Sequence, residues 1–282
     1  WGGSKIGYYD SIVFKEVGVA AGWTTADAEP LIPQTALMGM SKPMVFDGID
    51  DKVTVTDNSV LDVTTAMSVS LWAKCAAVSP TGNDFFISKY KSSDNNRSWQ
   101  FGVTSSRTFE ANLDDNGSSA VTIATGAISS DLSGWNHYVF TFSGGTLKLY
   151  FNTVSQAITS GTPPSALYSA AADLVIGAAD NATGSFFAGN INEVALWNDD
   201  LSLAEVQAVF NDGVPLDVSS DSGDYESSDD LVGYWRNTGT GTWTDLSDEG
   251  NDGTPAGSPD TILLPEGTTS GKDILGFPLT HT

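Results

Sequence analysis

Three aspartates crowd the stretch FDGIDDKV (46–53): Asp47, Asp50 and Asp51, just ahead of Val53 and Val55. A hard cation such as Ca²⁺ takes roughly six to eight oxygens from carboxylates, amide side chains and backbone carbonyls. A turn at Asp47-Gly48 can aim such groups at one point. The other reading is a solvated turn that opens a strand.

Carboxylate pairs for sugar hydrolysis are the next chemistry to weigh. In FEANLDD, Glu110, Asn112 and Asp114 share one strand face. Four residues at ~3.3 Å each put Glu110 and Asp114 about 13 Å apart. Retaining glycosidases need about 5 Å between carboxyls and inverting ones about 6.5–9.5 Å, so this pair fits neither. Partners on other strands stay open. The run DLSDEGNDG (245–253) suggests a helix–loop–helix calcium loop only superficially. Aligning Gly253 with that loop's glycine puts Gly250 and Pro259 at ligand positions, and neither carries a carboxylate. The two histidines are His281 and His137. The latter lies on a strand, where a packing role outweighs a base. No G-x-S-x-G elbow accompanies it.

Aromatic faces offer a further route, because sugar rings stack on Trp and Tyr while amides and acids bond the hydroxyls. Trp72 stands opposite the apolar face of its strand, Trp99 follows the polar loop YKSSDNNRS, and Tyr150 and Asn152 share a face. These four are the candidate ligand-binding residues. Covering a second core is the competing role for each.

Alternation supplies the elements that must hold these groups. Met67, Val69, Leu71, Ala73 and Cys75 fall on one face of 67–75. Further strands are predicted at 84–89, 99–103, 108–113, 120–124, 135–143, 146–152, 173–177 and 188–197, with SGG (143–145) as a hairpin turn. Another is predicted at 7–18. Residues 201–206 form a capping box with a staple: Ser202 caps, Glu205 follows three residues on, and Leu201 meets Val206. A short surface helix is predicted over 203–211, ended by Gly213. Residues 219–230 (SSDSGDYESSDD) read as a solvated acidic loop, and TILLPEG as a last strand. So many antiparallel strands mean an all-β, two-sheet jelly-roll sandwich with one short surface helix and β-rich flanks.

The 282 residues carry 12 Lys plus Arg against 35 Asp plus Glu, a formal charge of −23. That excludes nucleic acid and anionic membranes as partners, since both need a basic surface. A single cysteine, Cys75, excludes an intrachain disulfide. No apolar stretch is long enough for membrane insertion. The start at Trp1 suggests part of a longer chain.

Five segments in order carry a family likeness: FDGIDDKV (46–53), MSVSLWAK (67–74), WNHYVFTFSGGTLKLYFN (135–152), LVIG (174–177) and GNINEVALWNDDLSLAEVQAVFNDG (189–213). Together they resemble the laminin G-like jelly rolls of the concanavalin A-like lectin/glucanase superfamily. The resemblance implies ligand-binding loops at a rim or sheet face. It also implies a calcium between the 47–51 turn and the 188–197 strand, where Asn192 stands in place of the usual acid. Asp47, Asp50, Asp51 and Asn192 are therefore the candidate calcium ligands.

The implied organisation is an end strand plus connector at 1–45, the jelly roll at 46–213, and an extension at 214–282 that completes this domain or starts the next. Borders of this kind are similar to those in phage tail-fibre and other virion surface proteins. The function implied is a non-catalytic structural and adhesion module outside the cell or on a virion surface. It would self-associate as a homotrimer, join other surface modules and attach to host glycans. A secreted bacterial adhesin or carbohydrate-binding module is the alternative, and a glycoside hydrolase the second.

Overall fold

A computed structural model of the chain describes residues 43–179, 184–236 and 241–261. The strand predicted at 7–18 lies outside them, as does TILLPEG beyond Thr261. The described strands are β1 (Met44–Asp47), β2 (Lys52–Val55), β3 (Ala66–Cys75), β4 (Asp84–Lys91), β5 (Asn96–Val103), β6 (Thr108–Leu113), β7 (Val121–Ala127) and β8 (Asn136–Ser143). They continue with β9 (Thr146–Phe151), β10 (Val154–Gln156), β11 (Ile158–Ser160), β12 (Leu174–Ile176), β13 (Ala188–Trp197), β14 (Leu231–Trp235), β15 (Gly253–Ala256) and β16 (Asp260–Thr261). The helix α1 spans Leu203–Phe210.

Two antiparallel sheets result. One runs β10-β9-β8-β3-β13-β1-β16, with β14 also on β13; the other runs β11-β7-β6-β5-β4-β12-β2-β15. Inward residues of both sheets merge into one core. Met67, Val69 and Leu71 of β3 meet Trp99, Phe101 and Val103 of β5 and Phe109, Ala111 and Leu113 of β6 there. This is the period-2 alternation expected when one face of each sheet packs on the other. Among the described residues no helix is long and apolar enough to cross a membrane.

The helix forms as its sequence predicts. The Ser202 hydroxyl accepts from the Glu205 N–H, and the Glu205 carboxylate accepts from the Ser202 N–H at 2.9 Å. Its end differs: Asn211, in the left-handed region at φ 46°, caps it two residues before Gly213. Asparagine tolerates that conformation through local hydrogen bonds.

Residues 214–230 are more than a solvated loop. With α1 they cover the outer face of the first sheet, where Val139, Tyr150, Ala195 and Trp197 join Val206, Val209, Val218 and Tyr225 in a second apolar cluster. Tyr225 anchors the cover: its hydroxyl accepts from Trp197 Nε1 (3.0 Å) and donates to the Val218 carbonyl (2.8 Å). Beyond this loop the chain stays in the same sandwich. β14 pairs with β13, β15 with β2, and β16 with β1.

Candidate functional site

The acidic turn forms as a compact loop between β1 and β2. Asp47 Oδ1 accepts from the N–H groups of Ile49 (2.7 Å) and Asp50 (3.3 Å), and Asp51 Oδ2 accepts from the Asp47 N–H (2.9 Å). One carboxylate oxygen from each of Asp47, Asp50 and Asp51 lies within 4.8 Å of the others. Two glycines allow the neighbouring backbone to close in. Gly48 (φ 76°) faces Ala188, and Gly257 (φ 99°) lies so near that an added Cβ would sit 2.6 Å from Asp51 Oδ1.

The repulsion between the carboxylates is felt at Asp51. The Ile49 N–H, above all, holds the exposed Asp47 carboxyl below the usual range. Burial pushes Asp51 up, and the charges of Asp47 and Asp50 push it further. Among the described residues no Lys or Arg forms an ion pair with them. A hard cation fits this donor set chemically, because it supplies the missing positive charge.

Asn192 does not join them. In the β1–β13 register Ala188 lies opposite Asp47, and Asn192 is four residues further along, about 13 Å at strand rise. It is fully buried opposite Trp72, at a bulge between Asn192 and Ala195 where Glu193 turns left-handed (φ 53°). Register thus corrects the expected ligand set to the three aspartates. The bulge instead hands the buried Glu193 carboxylate to the Tyr234 hydroxyl and to Arg236 Nε at 2.7 Å.

The aromatic candidates are also relocated. Trp99 is wholly buried between the sheets, so it presents no ring to a ligand. Trp72 is on the outer face but stacks under Phe210 of α1, with ring centroids 5.6 Å apart and planes at 10°. Tyr150 is buried in the second apolar cluster. Asn152 turns left-handed (φ 45°); its Oδ1 accepts from the His137 N–H (2.8 Å) and its Nδ2 donates to Asn136 Oδ1 (2.9 Å). In each case packing or backbone capping claims the group offered to a sugar.

His137 is fully buried, with Nε2 2.7 Å from Ser70 Oγ. A serine next to a histidine resembles the start of a hydrolytic triad. Among the described residues, however, no acid reaches Nδ1, so nothing orients the ring as a base. Burial pushes the imidazole down to about 3, keeping it neutral. Asp114 is likewise structural, its Oδ1 accepting from the N–H groups of Asn116 and Gly117 at 2.8 Å each.

A polar row on the outer face of the second sheet went unread in the sequence. Ser88, Gln100, Asn112 and Thr122 lie directly opposite one another on β4, β5, β6 and β7. Thr122 donates to Asn112 Oδ1 (2.5 Å), and Asn112 Nδ2 donates to Glu110 Oε1 (3.1 Å). The exposed Asn83 donates to the same carboxylate at 3.4 Å. Gln100 Oε1 is buried and accepts nothing among the described residues. Outward parity of β5 and β6 was the signal that could have found the row.

Residues 47–207, more than half of the chain, match the laminin G-like family profile of the concanavalin A-like lectin/glucanase superfamily. The chain belongs to this superfamily. Among solved structures, this superfamily chain is similar to a candidate carbohydrate-binding protein from Bacteroides ovatus, at TM-score 0.56 and 13% identity, covering 79% of this chain. It spans 59% of that protein's length. A heptameric SAP-like pentraxin from Limulus polyphemus is similar at TM-score 0.46 and 20% identity, over 61% of this chain and 82% of the other. The CBM40 of the Ruminococcus gnavus IT-sialidase, bound to α2,3-sialyllactose, is similar at TM-score 0.44 and 13% identity, over 58% and 96%. No curated protein matches the sequence. The likeness to the Bacteroides ovatus protein bears on the fold alone, and the site must be argued from this chain's own residues.

Proposed function

We propose that this chain is a non-catalytic glycan-binding module of a modular extracellular surface protein, of virion fibre or appendage type. The polar row on the second sheet carries the reading. Sugar hydroxyls donate and accept together, so a file of amide, hydroxyl and carboxylate groups suits them. Gln100 Oε1, buried without a donor among the described residues, is the acceptor that an entering hydroxyl would satisfy. Glu110, Asn83 and Thr122 border it toward solvent. The fold shared with the Bacteroides ovatus protein supports the reading by analogy.

Glycan-array binding with the whole chain tests it. Gln100→Leu and Asn112→Ala are expected to weaken binding at least about tenfold, about 1.4 kcal/mol, with the melting temperature kept. Full binding by both variants moves the site elsewhere. Turnover of a bound glycan returns the hydrolase reading, and silence across a broad array leaves a purely structural unit.

The same module is proposed to hold calcium at Asp47, Asp50 and Asp51. The ion would relieve the mutual repulsion of the carboxylates and fix the turn between β1 and β2. Calcium at a hundred times its dissociation constant adds about 2.7 kcal/mol of stability. For a domain of this size that is a melting rise of roughly 5–10 °C over the chelated protein. Asp51→Asn should abolish the rise, and equal melting with calcium or chelator would sink the site. Assembly as a homotrimer is proposed for the native chain. Light scattering at the mass of one chain would discard it.

A further inference from the structure

Lys89 is the most enclosed cation of the described residues, its side chain only 1% exposed. It projects from β4 into two carboxylates. Its Nζ donates to Asp57 Oδ1 and to the Ala172 carbonyl (2.8 Å), and Asp62 Oδ1 lies 3.2 Å away. That Asp62 oxygen is buried and accepts no hydrogen bond among the described residues. Its partner oxygen, Oδ2, accepts from Ser169 Oγ at 2.8 Å. The backbone of Asp57 is held as well, its N–H donating to Asp173 Oδ1 (3.0 Å). An amine, a carboxyl carbon and a second carboxylate are thus fixed together, with the amine shielded from solvent.

We propose that Lys89 and Asp57 are a self-modification site, at which the chain forms an intramolecular amide cross-link with Asp62 as the proton relay. The Lys89 Nζ–Asp57 Cγ bond forms and one Cγ–O bond breaks. Two of the three ammonium protons pass by way of Asp62 to the departing oxygen, which leaves as one water. Asp62 ends as it began, and no oxidant, nucleotide or other reactant is consumed. Fixed contact supplies the effective concentration that a free amine and carboxylate lack. Relay by a positioned carboxylate is general acid–base catalysis; the Lys89 amine is enclosed, while the Asp57 side chain is 28% exposed, which gives the released water a way out. An ordinary buried ion pair needs only one acid per lysine. The second, with a buried oxygen turned to Nζ, is what the relay requires.

The link would join chain segments 32 residues apart. Asp57 follows β2 and Lys89 belongs to β4, while β12 lies between, its Leu174 opposite Val55 on one side and Lys89 on the other. The amide would therefore staple two strands across a third.

Denaturing mass spectrometry of the whole purified chain tests this directly. The expected mass is one water below that of the sequence, and digestion should yield a branched peptide containing Asp57 and Lys89. Lys89→Arg, Asp57→Ala and Asp62→Asn should each restore the full mass. The wild-type peptide map keeps the test open even if a variant fails to fold. A folded wild-type chain of full mass overturns the proposal. So does a missing water that persists in Lys89→Arg, because it would arise elsewhere.

Discussion

Trp99→Ala is expected to lower the unfolding free energy by about 3–5 kcal/mol, the usual cost of truncating a fully buried aromatic. Trp99 is wholly buried, within the core that both sheets share, with the Phe140 ring centroid 6.3 Å from its own. Its indole N–H is buried without an acceptor among the described residues. Trp99→Phe should therefore cost much less, because the smaller ring keeps most of the contacts and removes the unpaired donor. Denaturant unfolding of the three proteins measures both steps. A sugar platform would behave differently: alanine would abolish glycan affinity at unchanged stability.

Acid should reveal two buried groups that hide each other. His137 is held down at about 3 against an ordinary 6.5, by burial. Its neutral form favours the fold above pH 6.5, and that stability is lost as pH falls toward 3. Asp84 is pushed up to about 6 from 3.8, also by burial. Its contribution has the opposite sign: present below pH 3.8, and lost as pH rises through about 6. Between roughly pH 4 and 6 the folded chain carries the proton on Asp84 and the unfolded chain carries it on His137. The proton counts match, so these two groups give almost no slope there. Asp84→Asn should unmask the histidine, with stability falling by about 1.4 kcal/mol per pH unit as pH drops through that window. His137→Gln should do the reverse, gaining stability as pH falls from 6 to 4. Comparing each variant's urea-unfolding curve with wild type cancels the other carboxylates. Parallel curves for all three proteins would show that neither group is perturbed.

Local pattern made most of the fold legible, and its limits are physical. Alternation in Met67–Cys75 and 135–143 located β3 and β8, because each turns its apolar residues to the core between the sheets. Ser202 and Glu205 located α1, because capping needs only neighbours in sequence. What alternation does not encode is whether the second face is covered. Trp72 lies opposite the apolar stripe of its strand, as its parity implies, but α1 and the loop at 214–230 roof that face from far along the chain and cover Tyr150 too. The calcium set failed at Asn192 for a related reason: pairing register and the bulge at Glu193 are set between strands. Lys89 gave no signal at all. Its burial depends on Asp57 and Asp62 of the β2–β3 connection converging with Ala172, which lies just ahead of β12.

The pairing of β1 with β16 has a mechanical consequence. Met44 lies opposite Thr261 and Val45 opposite Asp260, so the first and last described strands lie side by side. A pull at Met44 and Thr261 would not stretch the body between them. It would part the two strands one rung at a time, like a zipper, starting from a contact only two residues long. The rungs Met44–Thr261 and Val45–Asp260 would yield before the longer pairings of the sheet.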